Sequence, residues 1–597
     1  MSTEILQNQL RLPSQYRAAA ELEAYLGDPR DPENIFSYKK AVELDEREEY
    51  PEESWSLLNR WGVNEYYVPV SYGGRLRSYE ELFALIRIVA RRDMTVGVTH
   101  LMTYVASCVV WFVGTEDQKF RLAKILKSNN QVGVGYHEKE HGNDLLACEL
   151  SATKDSAGFI LSGQKWVIGN PRRASTLIIF ARTNPAGGPR GFTSFMFEKR
   201  ELPESAYSYL PKFRTHGVRG HEVSGISFDN CPLSPGALLS TPGSALENFL
   251  KSSQISRVIV TAICLGGVDT ALRTTLRFAL NRKLYGHTVF AMGPAQRVLV
   301  DAFLDLMICD CVAIAAARSL HEAPDQMSVG CAVTKYFVPT TSEQTIRNLA
   351  TVLGARYYLR EGHEWGIFEK ILRDCAIVSV GHLSSTINLS HLTSQLLQLS
   401  EYRAKISLRD PAESYSRLKS IFSLEQPLSP FEPEKLELFN RGRDDILNGV
   451  RLALLQLHAL RISAGVDFEV LEQLISLVGE LIKEIETYDQ SLRGSAAKQV
   501  GSFERSPEIF EFAKKHCVLH AAAACVLTWL HNRGYLGEFF SEGKWLVLCL
   551  ERLMAVFHPR RLLTNAYVAN LAQELVERFQ KNELFSIVPL QLATAGQ

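Results

Sequence analysis
The chain has 597 residues, 46% of them hydrophobic and 22% charged, a balance that suits several packed domains and excludes a disordered or fibrous polypeptide. With 65 basic and 66 acidic residues the formal net charge is −1, so no bulk electrostatic term draws the protein to nucleic acid or an anionic membrane. Eleven cysteines with no CxxC pair, and only Cys309-Asp310-Cys311 closely spaced, read as reduced thiols that mostly pack as small apolar residues, which points to the cytoplasm.

The opening stretch "MSTEILQNQLRLPSQYRAAAELEAYLG" mixes charges with short apolar groups and lacks the unbroken apolar core of a secretory signal. Up to about residue 130 the pattern is helical. "YEELFALIRIVARRD" (79–93) spaces apolar groups three and four apart, and "TEDQKFRLAKILKS" (115–128) opens with a threonine suited to capping and two acids in the first turn. From about 131 the period changes, with short β-rich runs, "GFILSGQKWVIG" (158–169), "STLIIFART" (175–183), "GFTSFMFEK" (191–199) and "GISFDNCPL" (225–233), set between turn residues. A small β-barrel or sandwich over 131–243 is expected. Helices return over 244–405, led by "LENFLKSSQISRVIVTAICLGGVDTALRTTLRFALNRKL", read as one long helix with a Gly-Gly contact point, and a helical bundle follows. The three prolines of "IFSLEQPLSPFEPEK" (421–435) mark a connector. Beyond it, within a further helical domain over 406–597, "EKLELFNRGRDDILNGVRLALLQLHALRI", "FEVLEQLISLVGELIKEIETY" and "NAYVANLAQELVERFQKN" read as amphipathic helices. "VIVTAICLGGV" and "HAAAACVLTWLH" fall short of the ~18 residues of a bilayer span and read as buried helices. No internal repeat or low-complexity tract is present.

Several separated stretches resemble the acyl-CoA dehydrogenase family, and the extra C-terminal helices make the layout similar to the related acyl-CoA oxidases. "GYHEKEHGNDLLACELSATKDSAGFILSGQKWVIGN" (135–170) is similar to the family's barrel segment; its loop reads His137-Glu138-Lys139 and ends Gly142-Asn143-Asp144. "FALNRKLYG" (278–286), followed by Gln296, resembles an Arg-x-x-(aromatic)-Gly signature whose arginine reaches the FAD pyrophosphate of a neighbouring subunit, which assigns that role to Arg282; a guanidinium suits it because its fork of donors grips two phosphate oxygens. "ATVLGARYYLREGHEWGIFEKILRDCAI" (350–377) resembles the glycine-containing loop and Arg-Asp helix end that approach the adenosine. The resemblance implies an N-terminal α-helical domain, a central β-barrel and a C-terminal helical bundle, plus the additional helical domain. It also implies a homo-oligomer, dimer or tetramer. As FAD contacts it implies His137, Asn143, Trp166, Gly169, Arg282, Tyr285, Gln296, Thr351, Gly354, Ser384 and Thr386, and as substrate contacts Asp144 and Arg257. Taken alone, Gly142 and Gly354 read also as plain turns, the more frequent use of a lone glycine, Trp166 and Tyr285 as core aromatics and Arg282 as a solvated helix residue. His137 and His141, four apart, sit in a glycine-bearing loop with no third ligand, so no metal is expected.

Desaturating an acyl thioester requires a base against the α-carbon and a polarised thioester oxygen while hydride leaves the β-carbon. In the family the base is usually a glutamate in the turn just after the Arg-Asp helix end, and that turn falls here on Gly381-His382-Leu383-Ser384; the alternative family position, before an arginine on the long helix, is Ser256-Arg257. Neither holds a carboxylate. His382 is therefore the catalytic candidate, since imidazole with its ordinary pKa of about 6.5 is competent as a general base near pH 7; otherwise it fills the turn, and Glu138, Glu140 or His137 takes the role. Gly169 replaces a threonine whose hydroxyl usually contacts flavin N5, and Val167 a tryptophan that usually shields the ring. Three functions remain open: FAD-dependent α,β-desaturation of an acyl-CoA or an acyl group on a carrier protein, in specialised metabolism; oxygenation or a redox-neutral reaction on the same thioester; and a non-catalytic scaffold that binds carrier proteins.

Overall fold
A computed structural model of the protein describes residues 12–405, 411–461, 467–499, 506–559 and 565–594; the first eleven residues of the opening stretch lie outside them. The chain forms two compact units assembled from separated stretches. The smaller gathers Ile35–Arg77 and Asp93–Ser256, the larger the described residues of Met1–Asn34, Ser78–Arg92 and Arg257–Gln597.

In the smaller unit, helix Met94–Val113 begins where the Asp93 carboxylate accepts the Thr95 amide at 2.8 Å, and Glu116–Lys127 begins at Thr115, which forms a capping box with Gln118. The β-region follows as eight strands: β1 (Val132–Gly135), β2 (Ser151–Lys154), β3 (Phe159–Gly169), β4 (Thr176–Arg182), β5 (Phe192–Glu198), β6 (Tyr207–Tyr209), β7 (Val223–Leu233) and β8 (Leu238–Leu239). Their order is β6-β7-β3-β2-β4-β5-β8, with β1 parallel to β4 and long antiparallel pairings of β3 with β7 and β4 with β5. Strands that are not neighbours still touch: Phe159 of β3 meets Phe195 of β5 at 4.9 Å, and Phe197 of β5 meets Phe228 of β7 at 6.1 Å. The sheet thus curls around one apolar core of alternate residues, among them Leu161, Ile179, Phe195 and Ile226.

The long apolar segment is two helices, Ala245–Ile259, which belongs to the smaller unit as far as Ser256, and Thr261–Asn281 in the larger, interrupted only at Val260, so the single helix expected from the pattern carries one break. Gly266 is the expected contact point: a Cβ there would stand 2.6 Å from Arg87 O and from Arg91 N, so helix Tyr79–Ala90 packs backbone to backbone against it. Helices Gly293–Glu322, Met327–Leu353 and Ser385–Lys405 complete the bundle. Met94–Val113 and Ala245–Asn281 are, contrary to the reading from short apolar runs, as long and apolar as membrane spans, yet 83% and 100% of their apolar windows are buried within the protein. All eleven cysteines are buried and none is in a disulfide.

The proline-rich connector is fastened down: the fully buried Arg318 guanidinium donates to the carbonyls of Ser420, Ile421, Ser423 and Gln426 and pairs with Glu80. After it, residues 436–444 are not helical as their pattern suggested. Arg441 and Gly442 take φ of 53° and 87°, and the helices Asp445–Asn448 and Val450–Leu460 start only where Asp444 accepts the Leu447 amide. Phe468–Lys498 and Val568–Gln580 are helical as expected.

Candidate functional site
Within the smaller unit the predicted barrel residues meet around a bulge. The β3–β7 register shifts between Lys165 and Ile168, and Val167 takes φ 55°, a costly conformation for a β-branched residue that turns its side chain outward, 45% exposed. The bulge sets Trp166, half-buried against Phe213, beside the loop: the Trp166 amide donates to His137 O at 2.9 Å, and His137 Nε2 lies 3.2 Å from Asn143 Oδ1. His137, Asn143 and Trp166 are thus brought together; Asp144 is exposed at the end of the same loop. Glu138 is not available as a base. Its carboxylate pairs with Lys165 at 2.8 Å and accepts the amides of Glu149 and Leu150, and although burial raises its pKa, Lys165 and those amides hold it below the usual carboxylate range. Glu140 is exposed and pairs with Lys139.

At the end of β3 the missing side chain of Gly169 has a neighbour. A Cβ there would stand 3.0 Å from His221 Nε2 and 3.3 Å from Met102 Cγ, so the imidazole occupies the ground a side chain at 169 would need. Thr99 Oγ1 lies 3.0 Å from His221 Nδ1, burial pushes the ring's pKa down to about 3, and Nε2 has no hydrogen-bond partner among the described residues. Nothing in the sequence around His221 marks it; only the fold brings it to Gly169.

Within the larger unit helix Ile367–Asp374 runs through Ala376–Val380 into the predicted turn, where His382 and Leu383 take φ of 45° and 63°. Two consecutive non-glycine residues in this region are strained, and buried side chains hold them there. Lys335, fully buried with its pKa lowered by desolvation to about 7, donates to Val378 O and to Gly381 O. Asn388, also fully buried, donates from Nδ2 to Leu383 O and Ser384 O at 2.9 Å each, while its Oδ1 accepts from Arg257 Nη1 at 3.2 Å. Arg257 also lies 3.3 Å from His391 Nδ1, and His391 Nε2 3.1 Å from Ser328 Oγ. Asn388 therefore links Arg257 to the turn that carries His382; it and Lys335 escaped the sequence reading. Ser384 caps helix Ser385–Lys405 and Thr386 is exposed on its first turn.

The remaining predicted contacts are spread over this unit. Arg282 ends helix Thr261–Asn281 and opens a hairpin of β9 (Lys283–Leu284) and β10 (His287–Thr288), whose two-residue turn places Tyr285 and Gly286 at φ 53° and 84°. Tyr285 is 95% exposed at the tip, which excludes the core-aromatic reading; Arg282 is exposed and makes no ion pair among the described residues. Gln296 is half-buried in the first turn of Gly293–Glu322, Thr351 is exposed, and Gly354 has φ 60° with open space where a Cβ would point.

Residues 37–128, 133–231 and 246–397 match the family models for the acyl-CoA dehydrogenase N-terminal, middle and C-terminal domains. The chain is 22% identical over 359 residues, 60% of its length and 90% of the relative's, to "Probable acyl-CoA dehydrogenase FadE25" of Mycobacterium tuberculosis (strain ATCC 25618 / H37Rv). Its fold is similar to the prolyl acyl carrier protein oxidase AnaB, with a TM-score of 0.56 and 21% identity over 65% of this chain and 97% of that one. It is also similar to PigA in complex with FAD, with a TM-score of 0.57 and 18% identity over 66% and 97%.

Proposed function
The chain belongs to the acyl-CoA dehydrogenase family, and on that footing we propose that it binds FAD and removes two hydrogens from the α- and β-carbons of an acyl thioester, with His382 taking the α-proton. The observation that carries this reading is the strained, doubly fastened turn. Four carbonyls around His382 are held by Lys335 and Asn388, and Asn388 is tied to Arg257, so the backbone that carries the imidazole is fastened on both sides. A backbone held this way presents its base from a defined position.

The residues present fit the cofactor. The outward Val167, the half-buried Trp166 and the unpartnered His221 Nε2 beside a glycine leave a backbone edge with one aimed nitrogen, suited to a flat heteroaromatic ring. In the tautomer in which Thr99 Oγ1 donates to Nδ1, the neutral ring carries its proton on Nε2 and donates where the family's threonine hydroxyl would. FAD, when bound, supplies the hydride acceptor at N5. The chain's own work is to hold the ring by Trp166, His137 and Asn143, to grip the diphosphate, and to take the α-proton.

Arg282 and Tyr285 on their exposed hairpin suit a contact made with a second copy of the chain, so the working unit is at least a dimer. Similar proteins named for acyl-CoA and for acyl carrier protein support a substrate acyl group carried as a thioester on either. The test is the colour of the protein: purified material should carry FAD, and the right acyl thioester should bleach its visible absorption without oxygen. Colourless protein that takes up no added FAD would leave only the scaffold reading.

A further inference from the structure
All three residues of a second polar cluster lie beyond residue 397, where the family match ends. His516 and His520 stand four apart on helix Pro507–Asn532, so both rings leave the same face, and Asp444 reaches them from the loop before helix Asp445–Asn448. His516 Nε2 is 3.5 Å from Asp444 Oδ2 and His520 Nδ1 is 3.9 Å from Asp444 Oδ1. One ligand atom from each lies within 4.8 Å of the others. The three side chains are 0%, 4% and 3% exposed for His516, His520 and Asp444. Both nitrogens of His516, Nδ1 of His520 and Oδ2 of Asp444 have no hydrogen-bond partner among the described residues.

Such a set of orphaned atoms is costly in a protein interior unless something sits among them. Charge points the same way. Arg403 forms a bidentate pair with Asp489 at 3.0 Å for each contact, and its Nη1 stands off at 3.8 Å from Asp444 Oδ2. Two buried carboxylates, Asp444 and Asp489, therefore share one guanidinium. A cation bonded to imidazole nitrogens and a carboxylate oxygen meets both needs. Bonds of about 2.0–2.2 Å in a tetrahedron place ligand atoms about 3.3–3.6 Å apart, close to the 3.5 Å separation of His516 and Asp444. Beside Asp444 and His520 a cavity of about 20 Å³, lined also by Gln326 and Asn440, has room for one water.

We propose that Asp444, His516 and His520 form a buried divalent-metal site, with zinc the ion it fits best, which ties helix Pro507–Asn532 to the loop ahead of helix Asp445–Asn448 and braces the C-terminal helices. Its fourth position is held by water and it takes no part in thioester chemistry.

The test uses the full chain, expressed with added zinc chloride and dialysed against metal-free buffer. Mass spectrometry of elements should find about one zinc per chain. Chelation should lower the thermal midpoint, and zinc chloride alone should restore it. Asp444→Asn keeps an oxygen to cap its helix while removing the anionic ligand, so it should fold with an unchanged circular dichroism spectrum, hold no zinc above background and ignore the chelator; His516→Ala should lose the metal as well. Wild-type protein without zinc and unmoved by added zinc, or a folded Asp444→Asn that keeps a full equivalent, would overturn the site.

Discussion
Asn388 joins Arg257 to the His382 turn, and removing its side chain tests whether that turn is held as described. Asn388→Ala deletes three hydrogen bonds, two to Leu383 O and Ser384 O and one from Arg257, at a position with no exposure through which water could replace them. At about 0.5–1.5 kcal/mol each, the loss is ~1.5–4.5 kcal/mol. Because the strain at φ 45° and 63° is then unopposed, the cost falls on local opening of the turn before global unfolding. A loss of ~1.5 kcal/mol speeds exchange through that opening by about tenfold. Hydrogen exchange followed by mass spectrometry on peptides spanning residues 376–390 should show at least that acceleration, while peptides from the β-region stay unchanged. Asn388→Asp separates the two halves of the link: it keeps an acceptor for Arg257 but sets carboxylate oxygens against two carbonyls, so it should exchange as fast as the alanine variant. Wild-type exchange in either variant would refute the idea that Asn388 fastens the turn.

His382→Ala should abolish anaerobic bleaching of the flavin by the right acyl thioester while FAD stays bound; unchanged bleaching would remove His382 from the base role. Arg282→Ala should lower FAD occupancy of the purified protein by about tenfold or more, the loss of a charge-assisted phosphate contact, and full occupancy would count against the hairpin as the diphosphate grip. Acid should destabilise the smaller unit. His100 and His221 are held by burial at pKa values of about 3, so their contribution is complete above the ordinary imidazole pKa of about 6.5 and is lost as pH falls from there towards 3. At pH 5 the loss is ~2 kcal/mol for each ring, read as a falling urea midpoint between pH 7 and pH 5; a flat profile would show that the rings stay solvated.

Helix Glu116–Lys127 was legible because its capping box and first-turn acids are local, and the strands because short β-rich runs stand between turn residues, a signal that holds even for β4 and β5, which are buried along nearly their whole length. The stretch 436–444 was misread as helix because its apolar spacing fits one, while the left-handed Arg441-Gly442 pair and the Asp444 cap decide otherwise. The His382 turn could be placed by counting from Arg373-Asp374, but what holds it could not: Lys335 and Asn388 act from 46 and 5 residues away through backbone carbonyls, which carry no signature in side-chain type. His221 is hidden for the same reason, being 52 residues from Gly169 in sequence and at its Cβ position in space.

The most direct measurement is mass spectrometry of a panel of acyl thioesters, on CoA and on carrier protein, after incubation with the FAD-loaded protein. Expected is one class of thioester that loses two hydrogens, in step with flavin bleaching when oxygen is absent. A gain of oxygen, or FAD-loaded protein that leaves every thioester at its starting mass, would contradict desaturation.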